Sequence, residues 1–203
     1  MSLLEAQVHP ESTALLVVDM QNDFCAEGGY LQRERGYNVG FAPALADRIQ
    51  GLVRVARTAG MPVVWIRSVY DFKYLNEPYR VKRRDEGCCL EGTWGVEFFR
   101  LRPEPGEPIV TKHHYSAFFE TDLHAQLQSL GVKTLVVTGV ATNVCVDSTL
   151  REGFFRGYYI VVPEDCVNSN SKAGHEGTLA TVRNNIGIVC PSEDIIQILT
   201  APR

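Results

Sequence analysis

Short apolar runs alternate along this chain with longer stretches whose apolar residues recur at helical spacing, and that alternation leaves few folds open. Ala14–Val18 (ALLVV) is wholly apolar, as expected of a strand buried on both faces. Ala42–Ala59 spaces Leu45, Ile49, Leu52, Val53 and Ala56 along one helical face, and Gly60 stops it. Val63–Ile66 (VVWI) and the short Ile109–Thr111 are further strands. Asp122–Leu130 is predicted helical, with Thr121 as N-cap and Gly131 beyond its end. Thr134–Val140 (TLVVTGV) is a strand, Val144–Arg156 a helix, Tyr158–Val162 (YYIVV) a strand and Ser171–Asn185 a helix. Ile188–Cys190 is a last strand and Ile195–Leu199 a short closing helix. Strands alternating with helices predict a parallel sheet with helices on its faces.

With 203 residues, 45% of them hydrophobic and 22% charged, the chain suits one compact domain over residues 1–203. Val69–Pro108 is the exception: rich in charge, Gly and Pro, it reads as a long irregular loop in which only Val96–Leu101 looks regular. A net charge of -4 speaks against nucleic acid or an anionic membrane as partner. The first ten residues, MSLLEAQVHP, have neither the basic nor the apolar region of a signal peptide, and no apolar run reaches the ~20 residues of a membrane span. The expectation is a cytoplasmic protein, and the six cysteines fit that compartment as free thiols. Cys88 and Cys89 are adjacent and too close for an ordinary disulfide, while Cys25 and Cys166 read as packing thiols.

In open parallel sheets ligands bind beyond the carboxyl ends of the strands. Asp19 directly follows ALLVV, Lys112 follows Ile109–Thr111, and Cys145 lies a few residues past TLVVTGV at a helix start. Singly, an Asp after a strand is commonly a turn residue, such a Lys is usually solvated, and such a Cys is usually inert packing. Together they form a coherent site. A helix N-terminus, with Asn143 as N-cap, favours the Cys145 thiolate. Asp19 can take the thiol proton and pass it to a leaving amine, and Lys112 can hold Asp19 and compensate its charge. Backbone N–H groups of the ATNVC turn can bind an oxyanion.

Four segments carry a resemblance. VVDMQNDF (Val17–Phe24), GTWGVEF (Gly92–Phe98), TKHHYSAF (Thr111–Phe118) and VTGVATNVCVDSTLREGF (Val137–Phe154) resemble, in order, the signature regions of the isochorismatase-like cysteine hydrolases. The resemblance implies a three-layer α/β/α fold with a mostly parallel central sheet of about six strands, assembled as a homodimer or homotetramer. It implies Asp19, Lys112 and Cys145 as catalytic residues. It also implies a non-proline cis peptide at Val140–Ala141, with the N–H groups of Ala141 and Cys145 as oxyanion hole. Isochorismatases proper lack the cysteine that stands here at Cys145. Nicotinamidases carry an Asp-x-His metal motif, whereas RSVYDFKYLNEPYR (Arg67–Arg80) contains no histidine, so no metal or other cofactor is expected. The block around Cys145 is most similar to the branch acting on carbamoyl and ureido amides such as ureidoacrylate, N-carbamoylsarcosine, biuret and triuret.

Tyr115 and Phe118, and with them Phe24 and Tyr70, are candidates for the walls of a pocket for a small-molecule amide. Asn143 is a candidate substrate contact. Arg67 and the run Arg80–Arg84 (RVKRR) are candidates to grip a substrate carboxylate, Arg67 being the better placed. Gln21 and Asn22 are expected to organise the first loop, and His113 and His114 to be structural or exposed. Competing readings are a nicotinamidase- or maleamate-type amidase, a non-catalytic binding member of the same fold, and a thiol redox protein, which would want a resolving cysteine. A nucleotide-binding module is also weighed, but no G-x-G-x-x-G follows ALLVV.

Overall fold

The computed structural model describes residues 2–83 and 87–201. In chain order the elements are α1 (Leu3–Gln7), β1 (Thr13–Val18), α2 (Asn22–Cys25), α3 (Tyr30–Arg35), α4 (Ala42–Thr58), β2 (Val63–Ser68), α5 (Glu77–Arg83) and β3 (Ile109–Lys112). There follow α6 (Leu123–Ser129), β4 (Thr134–Val140), α7 (Asp147–Phe155), β5 (Tyr159–Pro163), β6 (Val167–Asn168), α8 (Lys172–Thr181), β7 (Ile188–Cys190) and α9 (Ser192–Thr200).

The strands form one seven-stranded sheet in the order β3-β2-β1-β4-β5-β7, with β6 pairing beside the end of β4. Every strand pair is parallel. Alternation sends successive side chains of β1 to opposite faces. Leu15 and Val17 join the core under α4, with Leu45, Ile49, Leu52 and Ile195. Ala14, Leu16 and Val18 join a second core with Leu123, Leu127, Leu150 and Leu179 of α6, α7 and α8. Helices thus cover both faces, which is why the strands carry almost no polar alternation.

The chain runs outward from β1 to β3 and then returns to lay β4 against the other side of β1, so the order reverses between β1 and β4. That reversal is where ligands bind in folds of this kind. The two strands are in register from Thr13↔Thr134 to Val18↔Gly139. Close approach there demands glycine: φ of Gly139 is +108°, and a Cβ would stand 2.0 Å from the Val18 carbonyl oxygen.

All six expected strands are present, and β6 adds a seventh too short to show a period in sequence. The 69–108 stretch is more ordered than its composition suggests. It contains α5 and single 3-10 turns at Phe72–Tyr74 and Trp94–Val96. Val96–Leu101, however, is no continuous element; Phe98 makes one antiparallel bridge to Gln21. Two predicted helices begin or end as π-helical turns, at Thr142–Val146 and Val182–Ile186. No helix among the described residues is long and apolar enough to cross a membrane.

Candidate active site

Asp19 leaves β1 in the left-handed region, φ +53°, which a short polar side chain tolerates better than most. Its N–H donates to the Ile66 carbonyl at 3.0 Å, fixing it over the end of β2. The carboxylate is 1% exposed. Its Oδ1 accepts from Ser68 Oγ at 3.0 Å, and its Oδ2 lies 2.8 Å from Lys112 Nζ. Lys112, the last residue of β3, is fully buried, and its ammonium also donates to Ser68 Oγ (2.8 Å), the His114 carbonyl (3.1 Å) and Tyr70 Oη (3.2 Å). Register explains the reach: Ser68 and Lys112 are direct partners across β2 and β3. Burial opposes the charge on Lys112, but Asp19 and Cys145 more than offset it and hold the ammonium above its ordinary range.

Cys145 sits in the π-helical turn that follows β4, buried, with Sγ 3.7 Å from Tyr70 Oη. Burial pushes its thiol up to about 12; Lys112 pulls it down, and the neighbouring Asp19 pushes it further up. The helix start is expected to favour a thiolate; the burial of Cys145 beside Asp19 acts in the opposite direction. Desolvation is the largest influence on the thiol and acts against its ionisation. The Val140–Ala141 peptide bond just before it is cis.

These groups form the floor of a cavity of about 320 Å³, lined by Asp19, Tyr70, Val140, Ala141, Val144 and Cys145 below and by Phe24, Leu31, Tyr37, Phe41 and Tyr115 around it. Arg35, Lys82 and the segment Asn168, Ser169 and Asn170 complete the lining. Tyr79, which is not itself in the lining, packs against two residues that are, with ring centroids 5.5 Å from Tyr70 and 5.3 Å from Tyr115.

The structure brings Asp19, Lys112 and Cys145 together, and places Ala141, Phe24, Tyr70 and Tyr115 in the cavity wall. It sends three candidates elsewhere. Arg67 is not in the lining; its Nε donates to Thr111 Oγ1 at 2.9 Å. Side chains alternate along β2, and the adjacent Ser68 takes the side facing the site. Asn143 is neither N-cap nor lining. Ala141 holds the cap position, while Asn143 Oδ1 accepts from Ser169 Oγ at 2.5 Å and its amide packs where a Cβ on Gly174 would fall. Phe118 is buried in the α7-side core, stacked on Tyr158 at 5.9 Å. Of the Arg80–Arg84 run, Lys82 lines the cavity and Arg84 lies outside the described residues.

Sequence reading missed Ser68, which bridges Asp19 and Lys112. The rule that found the other residues, a polar group at the end of a strand, would have found it too. Gln21 and Asn22 organise the first loop as expected. The Gln21 amide donates to the Ser68 and Val96 carbonyls at 2.9 and 2.8 Å, and Asn22 donates to the Trp94 carbonyl at 2.9 Å. His175 escaped notice as well; its Nδ1 is 2.9 Å from Thr142 Oγ1 in the cysteine-bearing turn. Among the described residues no group of three or more His, Cys, Asp and Glu side chains is gathered as a metal site requires.

A carboxylate, an ammonium and a thiol in mutual contact at the switch point of a parallel α/β sheet define a class of small-molecule hydrolase fold. The chain belongs to the isochorismatase family of hydrolases, whose domain matches residues 13–194. It is similar to the ureidoacrylate amidohydrolase RutB of Methylorubrum extorquens, 36% identical over 197 residues that cover 88% of this chain and 79% of that protein. Among solved structures it resembles a cysteine hydrolase from Pseudomonas syringae pv. phaseolicola, with TM-score 0.84 and 27% identity, covering 95% of this chain and 94% of that one. It also resembles the N-carbamoylsarcosine amidase of Thermoplasma acidophilum, with TM-score 0.75 and 26% identity over 90% of this chain and 97% of that one.

Proposed function

We propose that this hydrolase cleaves a C–N bond of a small carbamoyl or ureido amide, with Cys145 as nucleophile. The observation that carries the reading is the convergence of the Cys145 thiol on the Asp19–Lys112 ion pair at the floor of a cavity. The similarity to a ureidoacrylate amidohydrolase and an N-carbamoylsarcosine amidase supports the choice of substrate class.

The resting state holds a neutral thiol beside an ionised carboxylate. As sulfur attacks the carbonyl carbon, the thiol proton passes to Asp19, and the carbonyl oxygen gains the negative charge. That oxyanion is met by the N–H groups of Ala141 and Cys145. Collapse breaks the C–N bond while Asp19 returns the proton to the leaving nitrogen, releasing ammonia or amine and leaving a thioester or thiocarbamate on Cys145. Water then attacks, giving its proton to Asp19, and breakdown of the second tetrahedral species returns that proton to sulfur. Lys112 stays charged throughout and fixes the carboxylate, so every step conserves the charge of the site. The proposed route uses no metal.

The test is ammonia release by wild type and Cys145→Ala over ureidoacrylate, N-carbamoylsarcosine, biuret, triuret, maleamate and nicotinamide, before and after treatment with a chelator. Turnover of a carbamoyl compound that the mutation abolishes and the chelator spares is the expected result. Turnover of nicotinamide or maleamate alone would refute the substrate class, and silence across the panel would refute the amidase reading.

A further inference from the structure

Sulfur must carry negative charge twice in a thioester cycle, once as it attacks and once as it is expelled. Burial deprives it of the water that would solvate that charge. Cys145 is buried, and the Lys112 ammonium beside it is shared with the Asp19 carboxylate, Ser68 Oγ and the His114 carbonyl. A hydroxyl group also reaches the sulfur: Tyr70 Oη lies 3.7 Å from Cys145 Sγ.

Tyr70 stands two residues beyond Ser68, where the pairing of β2 with β3 continues past the strand end. The Val69 N–H donates to the Lys112 carbonyl at 3.0 Å, and the Tyr70 N–H donates to the Cys88 carbonyl at 3.2 Å. The chain at Gly87 packs so closely that a Cβ there would stand 2.0 Å from the Tyr70 carbonyl oxygen. Tyr70 is 1% exposed, its ring centroid 6.4 Å from that of Phe24 and 5.5 Å from that of Tyr79. Its hydroxyl accepts from Lys112 Nζ at 3.2 Å and lies 3.2 Å from the His114 carbonyl oxygen. An ammonium can only donate and a carbonyl can only accept, so of these neighbours the carbonyl and the sulfur compete for the phenolic proton. Burial holds the phenol well above its ordinary range, with Cys145 and Asp19 adding to the effect, so the proton stays on oxygen.

We propose that Tyr70 is a further catalytic residue, whose O–H donates to Cys145 Sγ whenever negative charge gathers on sulfur. This rests on the hydrolase reading above and adds a fourth side chain to its chemistry. At rest the phenolic proton is directed to the His114 carbonyl. As Asp19 takes the thiol proton and the S–C bond forms, the O–H turns to sulfur. When the second tetrahedral species collapses, the C–S bond breaks, its electron pair returns to sulfur and Asp19 supplies the proton. Tyr70 gives up no proton in either step; it makes the hydrogen bond that water would make in an open site. Lys112, by donating to Tyr70 Oη, polarises the phenol and strengthens that bond.

Two measurements test it. Tyr70→Phe removes one oxygen and keeps the ring that lines the cavity, while Lys112 retains Asp19, Ser68 and the His114 carbonyl. A hydrogen bond to a charged group corresponds to about one to two pH units of thiol ionisation. The nucleophilicity that a thiolate loses as it becomes less basic offsets a little under half of that. Alkylation of Cys145 by iodoacetamide at pH 8, followed by peptide mass mapping, is therefore expected to slow about three- to tenfold in Tyr70→Phe. The same variant should lose about tenfold or more in kcat with KM little changed. An unchanged alkylation rate or an unchanged kcat would overturn the proposal. The second measurement places mono- and difluorotyrosine at position 70, which keeps the hydroxyl and separates donation from acceptance. Fluorine makes the hydroxyl a better donor and a poorer acceptor, so alkylation should quicken from tyrosine through mono- to difluorotyrosine. A flat or falling series would overturn the proposal, because the hydroxyl would then serve only as an acceptor for Lys112; turnover by wild type would leave the hydrolase reading intact. A rising series with no turnover of any amide in the panel supports the bond to sulfur and removes the hydrolase reading.

Discussion

The protonation state of Cys145 is the most exposed consequence of the site's geometry. A thiol pushed from 9.0 up to about 12 is about 10⁻⁴ ionised at pH 8, against ~10% for an ordinary one, a deficit of about 1000-fold in thiolate. Burial is the main cause, and the adjacent carboxylate of Asp19 adds to it, while Lys112 works in the opposite direction. Alkylation of Cys145 by iodoacetamide, measured from pH 6.5 to 10 with the modified peptide identified by mass, should rise about tenfold per pH unit without a plateau. Asp19→Asn removes a charge that raises the thiol and keeps the lysine that lowers it. The variant should therefore alkylate faster at pH 8 even though it no longer turns over substrate. A plateau beginning below pH 8 in the wild type would refute the reasoning, because it would mean that the resting site holds a thiolate. Slower alkylation in Asp19→Asn would be equally damaging.

Three further outcomes follow from named contacts. Lys112→Met strands the buried Asp19 carboxylate without its ion pair and should cost about 3–5 kcal/mol of stability at pH 7; an unchanged urea midpoint would contradict this. Ser68→Ala deletes the hydroxyl that donates to Asp19 and accepts from Lys112, and kcat should drop about 10–100-fold with little change in KM. A loss confined to KM would show that Ser68 contacts substrate instead. Gly139→Ala places a Cβ 2.0 Å from the Val18 oxygen at positive φ and should cost more than about 4 kcal/mol, read as loss of soluble, cooperatively melting protein. A variant that melts like wild type would show that β1 and β4 can separate freely.

Much of the architecture was legible because burial on both faces leaves a plain mark. A strand with no polar side, such as Ala14–Val18, has only one kind of sheet to enter, and the alternation with helices then sets strand direction. Asp19 and Lys112 could be found because each directly follows a strand, and Cys145 because it opens the helix after β4. Chain order and strand ends therefore suffice to bring the three to one edge. Arg67 misled because the alternation that sends Ser68 toward the site sends its neighbour away, and a one-residue difference in facing depends on where β2 ends. The helix α5 was hidden by charge and by a proline at its second position, so the 69–108 stretch looked irregular.

The sequence by itself determined six of the seven strands, that they run parallel, and that Asp19, Lys112 and Cys145 stand at their carboxyl ends, because these follow from local periodicity and chain direction. Only the tertiary structure decided what surrounds those groups. The upward push on the Cys145 thiol comes from the burial of that sulfur beside Asp19, and the cavity over it is walled by α3 and α5, which arrive from distant segments to bring Leu31, Arg35 and Lys82 to one lining. Charge and solvation are properties of the assembled neighbourhood, so no reading along the chain could have supplied them.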